Sequence, residues 1–320
     1  MSRDVIAYDL GGTNVRCGLV NEAGEIMFRA KQPVGARPKP EDVVGKMVAM
    51  AEQLMGEAAK RHDEVACIGI GSPGPLNSRT GTIVETPNLG WKDVPLARLV
   101  QERLKRPTFL ENDANSACWG EFVRGAGRGC KTMFILTLGT GVGGGLILDG
   151  RLWKGIDDIA GHLGHVVVDP DGPKQVFDNP GSLEALCSAT AVIRDARAAA
   201  KQHPDSKLAS VPAEKIDGKF IEECAVAGDA AAKGLFERLG THLGIACASF
   251  ANVLNPEVGV IGGGLSAAWN LYAPSMIREM KRRALPPAGA RLKLVKAELY
   301  DDAGMTGVAG LALKRALGEL

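Results

Sequence analysis

Asp9-Leu10-Gly11-Gly12-Thr13-Asn14-Val15-Arg16 joins two short apolar runs, residues 5–10 and 16–20. The pattern predicts strand, tight turn, strand. Gly11 and Gly12 let the backbone fold sharply and bring N–H groups close to an anion. Thr13 adds a hydroxyl donor, and Asp9, at the strand end, can hold Mg²⁺ directly or through water. A plain hairpin turn accounts for the same residues, so the stretch needs its surroundings to be read.

Working outward, residues 26–30 supply a third strand across the turn Asn21-Glu22-Ala23-Gly24. Helical spacing runs over residues 41–61, with Val44, Met47, Val48, Ala51, Leu54, Met55 and Ala58 on one face. Strands are predicted at 65–71 and 108–110, and a helix at 96–105. The order β-β-β-α-β-α-β then restarts. Residues 133–138 form an apolar strand that ends in Gly139-Thr140-Gly141-Val142-Gly143-Gly144-Gly145. Strands are expected at 144–148 and 166–168, helices at 182–201 and 213–252, a buried strand at 258–261, a strand at 292–297 and a last helix at 305–317. Two α/β halves that each open on a strand–glycine turn–strand unit predict an internally duplicated fold with a cleft between the halves. The expected domains are residues 1–112 with a C-terminal helix at 303–320, and residues 113–302.

Two turns that both place a threonine among glycines are hard to explain by packing alone. A third cluster, Gly262-Gly263-Gly264, follows the strand at 258–261 and precedes a helix, where an adenine or ribose can approach the backbone. The stretches 69–74 and 139–144 both fit GxGxxG, but neither opens a helix, which a dinucleotide fingerprint must do. No GxxxxGK[ST] is present, so the chain is not a P-loop NTPase.

Glu111-Asn112-Asp113-Ala114-Asn115 follows a strand and opens an apolar helix. Asp113 or Asn112 can be a helix cap; Asp113 can equally be a general base for a substrate hydroxyl, in a phosphoryl transfer that otherwise asks for positioning and charge neutralisation. His162 and His165, three apart, suggest either a metal site or polar ligand contacts.

Composition narrows the classes. The 320 residues carry 38 Lys+Arg against 37 Asp+Glu, so no basic excess points to nucleic acid. No apolar run is long enough for a bilayer and no signal peptide is expected. Seven cysteines without paired spacing read as reduced core thiols of a cytoplasmic protein.

Taken together, the motifs resemble those of the ROK group of sugar kinases, and of its glucokinase branch in particular, within the actin/hexokinase/Hsp70 superfamily. Those residues are the first turn from Asp9, Gly69-Ile70-Gly71-Ser72-Pro73-Gly74-Pro75-Leu76-Asn77, Thr86-Pro87-Asn88-Leu89-Gly90-Trp91, the Glu111–Asn115 segment, the turn from Gly139, and Asn255-Pro256 followed by Ile261-Gly262-Gly263-Gly264. The resemblance covers essentially the whole chain. It implies a two-domain duplicated ribonuclease H-like (actin-like ATPase) α/β fold whose interdomain cleft closes on sugar, and phosphorylation of a hexose, glucose first, by ATP with Mg²⁺. It implies Asp113 as base and Gly74, Asn88, Asn112, His162, His165 and Glu184 as sugar contacts. It implies Asp9, Gly11, Gly12, Thr13, Thr140 and Gly141 at phosphates, Gly262 and Gly263 at adenosine, a homodimer, and no nucleic-acid or membrane partner.

Two positions depart from the family pattern. His162 stands where the family carries a glutamate that contacts the sugar near its C1 and C2 hydroxyls. Gln175, Phe177 and Ser182 replace the three cysteines that, with the last histidine, hold a structural zinc in many members; one histidine cannot close a four-ligand site, so no zinc is expected. N-acetylhexosamine, fructose, mannose or allose as acceptor, and polyphosphate as donor, stay open. The family's repressors carry a DNA-binding domain ahead of the first phosphate motif, which here begins at Asp9. A non-catalytic sugar-binding protein is the remaining alternative.

Overall fold

The computed structural model describes residues 3–174 and 179–320. In chain order the first elements are β1 (Arg3–Leu10), β2 (Asn14–Val20), β3 (Ile26–Pro33), α1 (Pro40–Lys60), β4 (Glu64–Ser72), β5 (Leu76–Asn77), β6 (Thr82–Thr86) and β7 (Trp91–Val94). Next come α2 (Leu96–Leu104), β8 (Thr108–Asn112), α3 (Asp113–Arg124), β9 (Met133–Leu138), β10 (Val142–Leu148) and β11 (Arg151–Leu152). The remainder is α4 (Leu183–Cys187), α5 (Ala189–Gln202), α6 (Gly218–Val226), α7 (Ala230–Leu254), β12 (Val258–Gly262), α8 (Trp269–Arg283), α9 (Pro286–Arg291), β13 (Lys293–Lys296) and α10 (Ala303–Ala316). The chain divides into two compact units: Met1–Gly129 with Gly145–Gly161 and Glu298–Leu320, and Cys130–Gly144 with His162–Ala297.

The first unit is built on a sheet of order β3-β2-β1-β4-β8. β1, β2 and β3 pair antiparallel, whereas β4 pairs parallel with β1 and with β8. β1 alternates between two cores, as a strand buried on both faces must. Ile6, Tyr8 and Leu10 join Met47, Met50 and Leu54 of α1 and Val100 of α2. Val5 and Ala7 face the other way, onto Met305, Val308, Ala309 and Ala312 of α10. Gly69 on β4 makes room for α10, since a Cβ there would meet the Val308 carbonyl oxygen at 2.7 Å.

These units differ from the expected domains, 1–112 with 303–320 and 113–302, at three places: residues 113–129, which include α3, 145–161 and 298–302 all group with the first unit. α3 crosses α10 so closely that side chains at Gly120 and Gly307 would collide with the backbone at Ala303 and Ser116 respectively. Glu121 of α3 also takes the N–H groups of Leu299 at 2.7 Å and Glu298 at 3.1 Å. A small antiparallel sheet, β5-β6-β7, lies in a stretch that hydrophobic alternation did not reveal. Its strands are too short to show a period.

The second sheet has the order β11-β10-β9-β12-β13, with β12 parallel to both β9 and β13. Gly240 and Gly244 of α7, one turn apart, let α8 approach to backbone contact at Tyr272 and Met276.

Three expected elements are corrected. Residues 166–168 are not a strand: they follow the 3₁₀ turn Leu163–His165 and contribute only an isolated Val167–Ser182 bridge. The helix expected at 182–201 breaks into α4 and α5 because Ser188 turns extended (φ −73°, ψ 160°) and caps α5 through Ala191 N–H. The helix expected at 213–252 breaks before α7, where Gly228 has φ +93° and Asp229 caps the new helix. Among the described residues no helix is long and apolar enough to cross a membrane. All seven cysteines are free, and six are buried.

Candidate functional site

In the first unit the turn after β1 is closed by a hydrogen bond from Gly11 N–H to Asn14 O at 2.9 Å. Gly12 and Thr13 are exposed. The β1–β2 register puts Asp9 opposite Arg16, and Arg16 Nε donates to Asp9 Oδ2 at 2.8 Å, with Nη2 on the same oxygen. A cation held at Asp9 would share that carboxylate with a guanidinium. Gly12 lies against Asn88, whose Cβ would be 3.3 Å from a side chain placed there.

Asn112, not Asp113, caps α3. Its Oδ1 accepts from Ala114 N–H at 3.0 Å and Asn115 N–H at 3.1 Å. Its Nδ2 is left to reach Gly74 O at 3.5 Å. Gly74 has φ +89°, and the Glu85 carbonyl sits where its Cβ would be, so only glycine fits. Asp113 is thereby the first helical residue, partly buried, with Oδ1 accepting from Ala114 N–H at 2.8 Å. Burial pushes its carboxyl up to about 6, and the Asp9 charge adds to this. Hydrogen bonds from Ala114 N–H, its own N–H and Asn112 pull the other way. The first unit therefore brings together the pairs Gly12–Asn88, Gly74–Asn112 and Asp9–Asp113.

In the second unit three motifs converge on the turn after β9. Gly139 N–H closes it onto Gly141 O at 2.9 Å; Ala189 N–H donates to Gly139 O at 2.8 Å, and the Thr190 hydroxyl to Thr140 O at 2.9 Å. Glu184 Oε2 accepts from Val142 N–H at 2.8 Å and stands where a Cβ on Gly141 would be. Gly263, at φ +79°, packs on Leu138 at the turn's entry. Gly262 ends β12, and the helix expected next starts only at Trp269, after the 3₁₀ turn Gly264–Ala268.

His162 precedes the 3₁₀ turn Leu163–His165 and His165 ends it, with ring centroids 6.1 Å apart. Burial lowers the His162 pKa, the neighbouring His165 adds to this, and Glu184 opposes it. His162 is thus a neutral donor and acceptor at pH 7. Asn179 Nδ2 donates to His165 O at 2.9 Å. Of the three positions where cysteines were missing, Gln175 and Phe177 lie outside the described residues. Ser182 caps α4 through Ala185 N–H at 3.2 Å. Among the described residues no group of three or more His, Cys, Asp or Glu is arranged to hold a metal.

Neither GxGxxG match opens a helix; each runs partly along a strand. Gly69 and Gly71 belong to β4, and Val142 to Gly145 open β10. Sequence reasoning passed over Arg16 as the partner of Asp9, although it stands within the quoted motif. It also missed Lys154 and Arg315, both of which reach Glu111. Their separation along the chain offers no signal.

The ROK family model matches residues 5–315. A glucokinase of Thermotoga maritima is 36% identical over 318 residues, covering 98% of both chains. A ROK family glucokinase of Streptomyces griseus, solved with glucose and AMPPNP, superposes with TM-score 0.81 at 31% identity, over 97% of this chain and 99% of that one. A ROK family transcriptional regulator, a homologue of the E. coli MLC protein, superposes with TM-score 0.89 at 28% identity, over 99% of this chain and 78% of its own. With these neighbours the fold is the two-domain, actin-like α/β arrangement expected from the motifs. The chain belongs to the ROK family.

Proposed function

We propose that this chain is a sugar kinase that transfers the terminal phosphoryl group of ATP to a hexose, with glucose the first candidate, its C6 hydroxyl the acceptor and Asp113 the general base. The observation that carries the reading is the Asp113 carboxyl: partly buried, fixed by Ala114 N–H, and raised to about 6. A base is most effective when its pKa lies just below the working pH. As the hydroxyl oxygen attacks the γ-phosphorus and the bond to ADP breaks, Asp113 takes the hydroxyl proton and then releases it to solvent. A positioned base of this kind contributes roughly 10²–10⁴-fold.

The nucleotide fits the donor sets available. Val142 N–H already holds a carboxylate oxyanion, which supports an anion-binding role for the turn around Thr140 and Gly141. Gly11, Gly12 and Thr13 form the corresponding turn of the first unit, and Gly262 and Gly263 offer side-chain-free backbone to adenosine. Magnesium bound with ATP would supply charge neutralisation at the phosphates. Gly74, Asn88 and Asn112, with His162, His165 and Glu184, are the sugar contacts in this reading. Neutral His162 replaces a charged acceptor with a group that both donates and accepts. That favours testing sugars altered at C2, the N-acetylhexosamines and mannose, beside glucose. Zinc has no part in this reading.

The likeness to a transcriptional regulator supports a second reading, sugar binding without turnover. One screen separates the two: ADP release across hexoses, amino sugars and ketoses with ATP and Mg²⁺, repeated with polyphosphate as donor. Turnover of one or a few hexoses is expected. Saturable sugar binding by calorimetry with no turnover on any acceptor would favour the second reading and overturn the first.

A further inference from the structure

Behind the β8–α3 junction lies an ionic cluster that none of the glycine motifs contains. Glu111, 1% exposed, divides its two oxygens between two tasks. Oε1 accepts from the Asn112 N–H at 3.0 Å and from Asn115 Nδ2 at 3.2 Å, within the segment that carries Asp113. Oε2 takes Lys154 Nζ at 3.2 Å and Arg315 Nη2 at 2.8 Å. Both cations reach further. Lys154 Nζ donates to Ser78 Oγ at 2.5 Å and pairs with Asp158 Oδ1 at 3.1 Å, while Asp158 Oδ2 accepts the Ser78 N–H at 2.8 Å. Arg315 donates to Leu110 O at 3.2 Å and to Ser78 Oγ at 3.4 Å.

Two carboxylates and two cations balance, and every member has at least two partners. Such a knot is weak evidence for stability, because desolvating four charges offsets much of what their attraction gains. Its placement is more informative. It ties four pieces of the first unit to one another: the strand end that carries Asn112 and Asp113, the Ser78 turn just after the Gly74–Asn77 loop, the Lys154–Asp158 segment, and the last turn of α10.

We infer that Lys154 and Arg315 are positioning residues that fix Asp113, through Glu111, against the Gly74–Ser78 loop. This rests on the reading of Asp113 as the base. A base displaced by about 1 Å loses on the order of 10²-fold in rate. The cluster is therefore felt in kcat without contributing a group to the reaction.

The test uses the full chain and the sugar that the wild-type enzyme turns over. Lys154→Met is expected to lower kcat about tenfold or more while KM for ATP stays within about threefold, and Lys154→Arg to recover most of the loss. A merely structural role would lower the melting temperature or the active fraction and leave the kcat-to-KM pattern of the folded enzyme unchanged. Should Lys154→Met not fold, Ser78→Ala removes the hydroxyl that Lys154 and Arg315 share, leaving Glu111 both cations and Asp158 the backbone N–H of residue 78; it is expected to raise KM for the sugar several-fold. A folded Lys154→Met with wild-type kcat, or Ser78→Ala with wild-type sugar KM, would overturn the inference. Wild-type enzyme inactive on every sugar would instead overturn the reading of Asp113.

Discussion

The turn after β1 and the turn after β9 both set a threonine among glycines between two strands, yet they treat the nearby carboxylate in opposite ways. In the first, Asp9 sits on the strand itself and is neutralised by Arg16, its register partner on β2. In the second, Glu184 comes from α4 and accepts a backbone N–H of the turn, that of Val142. One turn carries its acid locally and keeps Gly12 and Thr13 exposed; the other is already satisfied by an acid brought from 42 residues away. Local register built the first arrangement, and tertiary packing built the second. An anion arriving at the second turn meets an internal competitor, so mutations there should couple nucleotide and sugar binding.

The largest expected effect lies on the first side of this comparison. Asp113→Ala should lower kcat by at least about 10² while nucleotide affinity by calorimetry is retained. Loss of nucleotide binding at unchanged kcat would reverse the assigned role. Next, Gly141→Ala puts a Cβ onto the Glu184 carboxylate and forces it off Val142 N–H. A fall of about tenfold in kcat/KM for the sugar is expected, because Glu184 is a sugar contact in the proposed reading, while KM for ATP changes less as its competitor leaves Val142 N–H. The matched change in the first turn, Gly12→Ala, meets only Asn88 Cβ at 3.3 Å on an exposed surface. It should cost less than Gly141→Ala, and in KM for ATP rather than in kcat/KM for the sugar, measured in the same assay. Equal effects at Gly141 and Gly12 would erase the distinction between the turns.

A smaller effect concerns stability. The raised Asp113 pKa means that the folded state disfavours the carboxylate, so a penalty is present above about pH 6 and vanishes below the unfolded value near 4. Asp113→Asn keeps the Oδ1 acceptor for Ala114 N–H and removes that charge. Its melting temperature should exceed that of wild type by a few degrees at pH 8, with the gain shrinking toward pH 4. A gain independent of pH would point to a cause other than charge.

Much of this was legible in the sequence because it is local. The β1–β3 meander follows from short apolar runs set around the Asn21–Gly24 turn, and a cap at the start of α3 from the residue types at 112 and 113. Helix breaks were harder: Gly228-Asp229 is a stop-and-start signal, but apolar spacing runs on across it into α7. Ser188 lies in an alanine-rich stretch that reads as one helix until its φ and ψ are seen. At the site, the glycine turns and the Glu111–Asn115 segment announced themselves by composition. The partners of Glu111 did not, because Lys154 is 43 residues away and Arg315 is 204. No spacing rule links residues this far apart that meet only through tertiary packing.

The most direct test of the base assignment is the pH profile of kcat at saturating sugar and ATP. If Asp113 takes the hydroxyl proton, kcat falls as pH drops through about 6, where that carboxyl becomes protonated. A kcat that stays level down to about pH 4, the range of an unperturbed aspartate, would contradict the account.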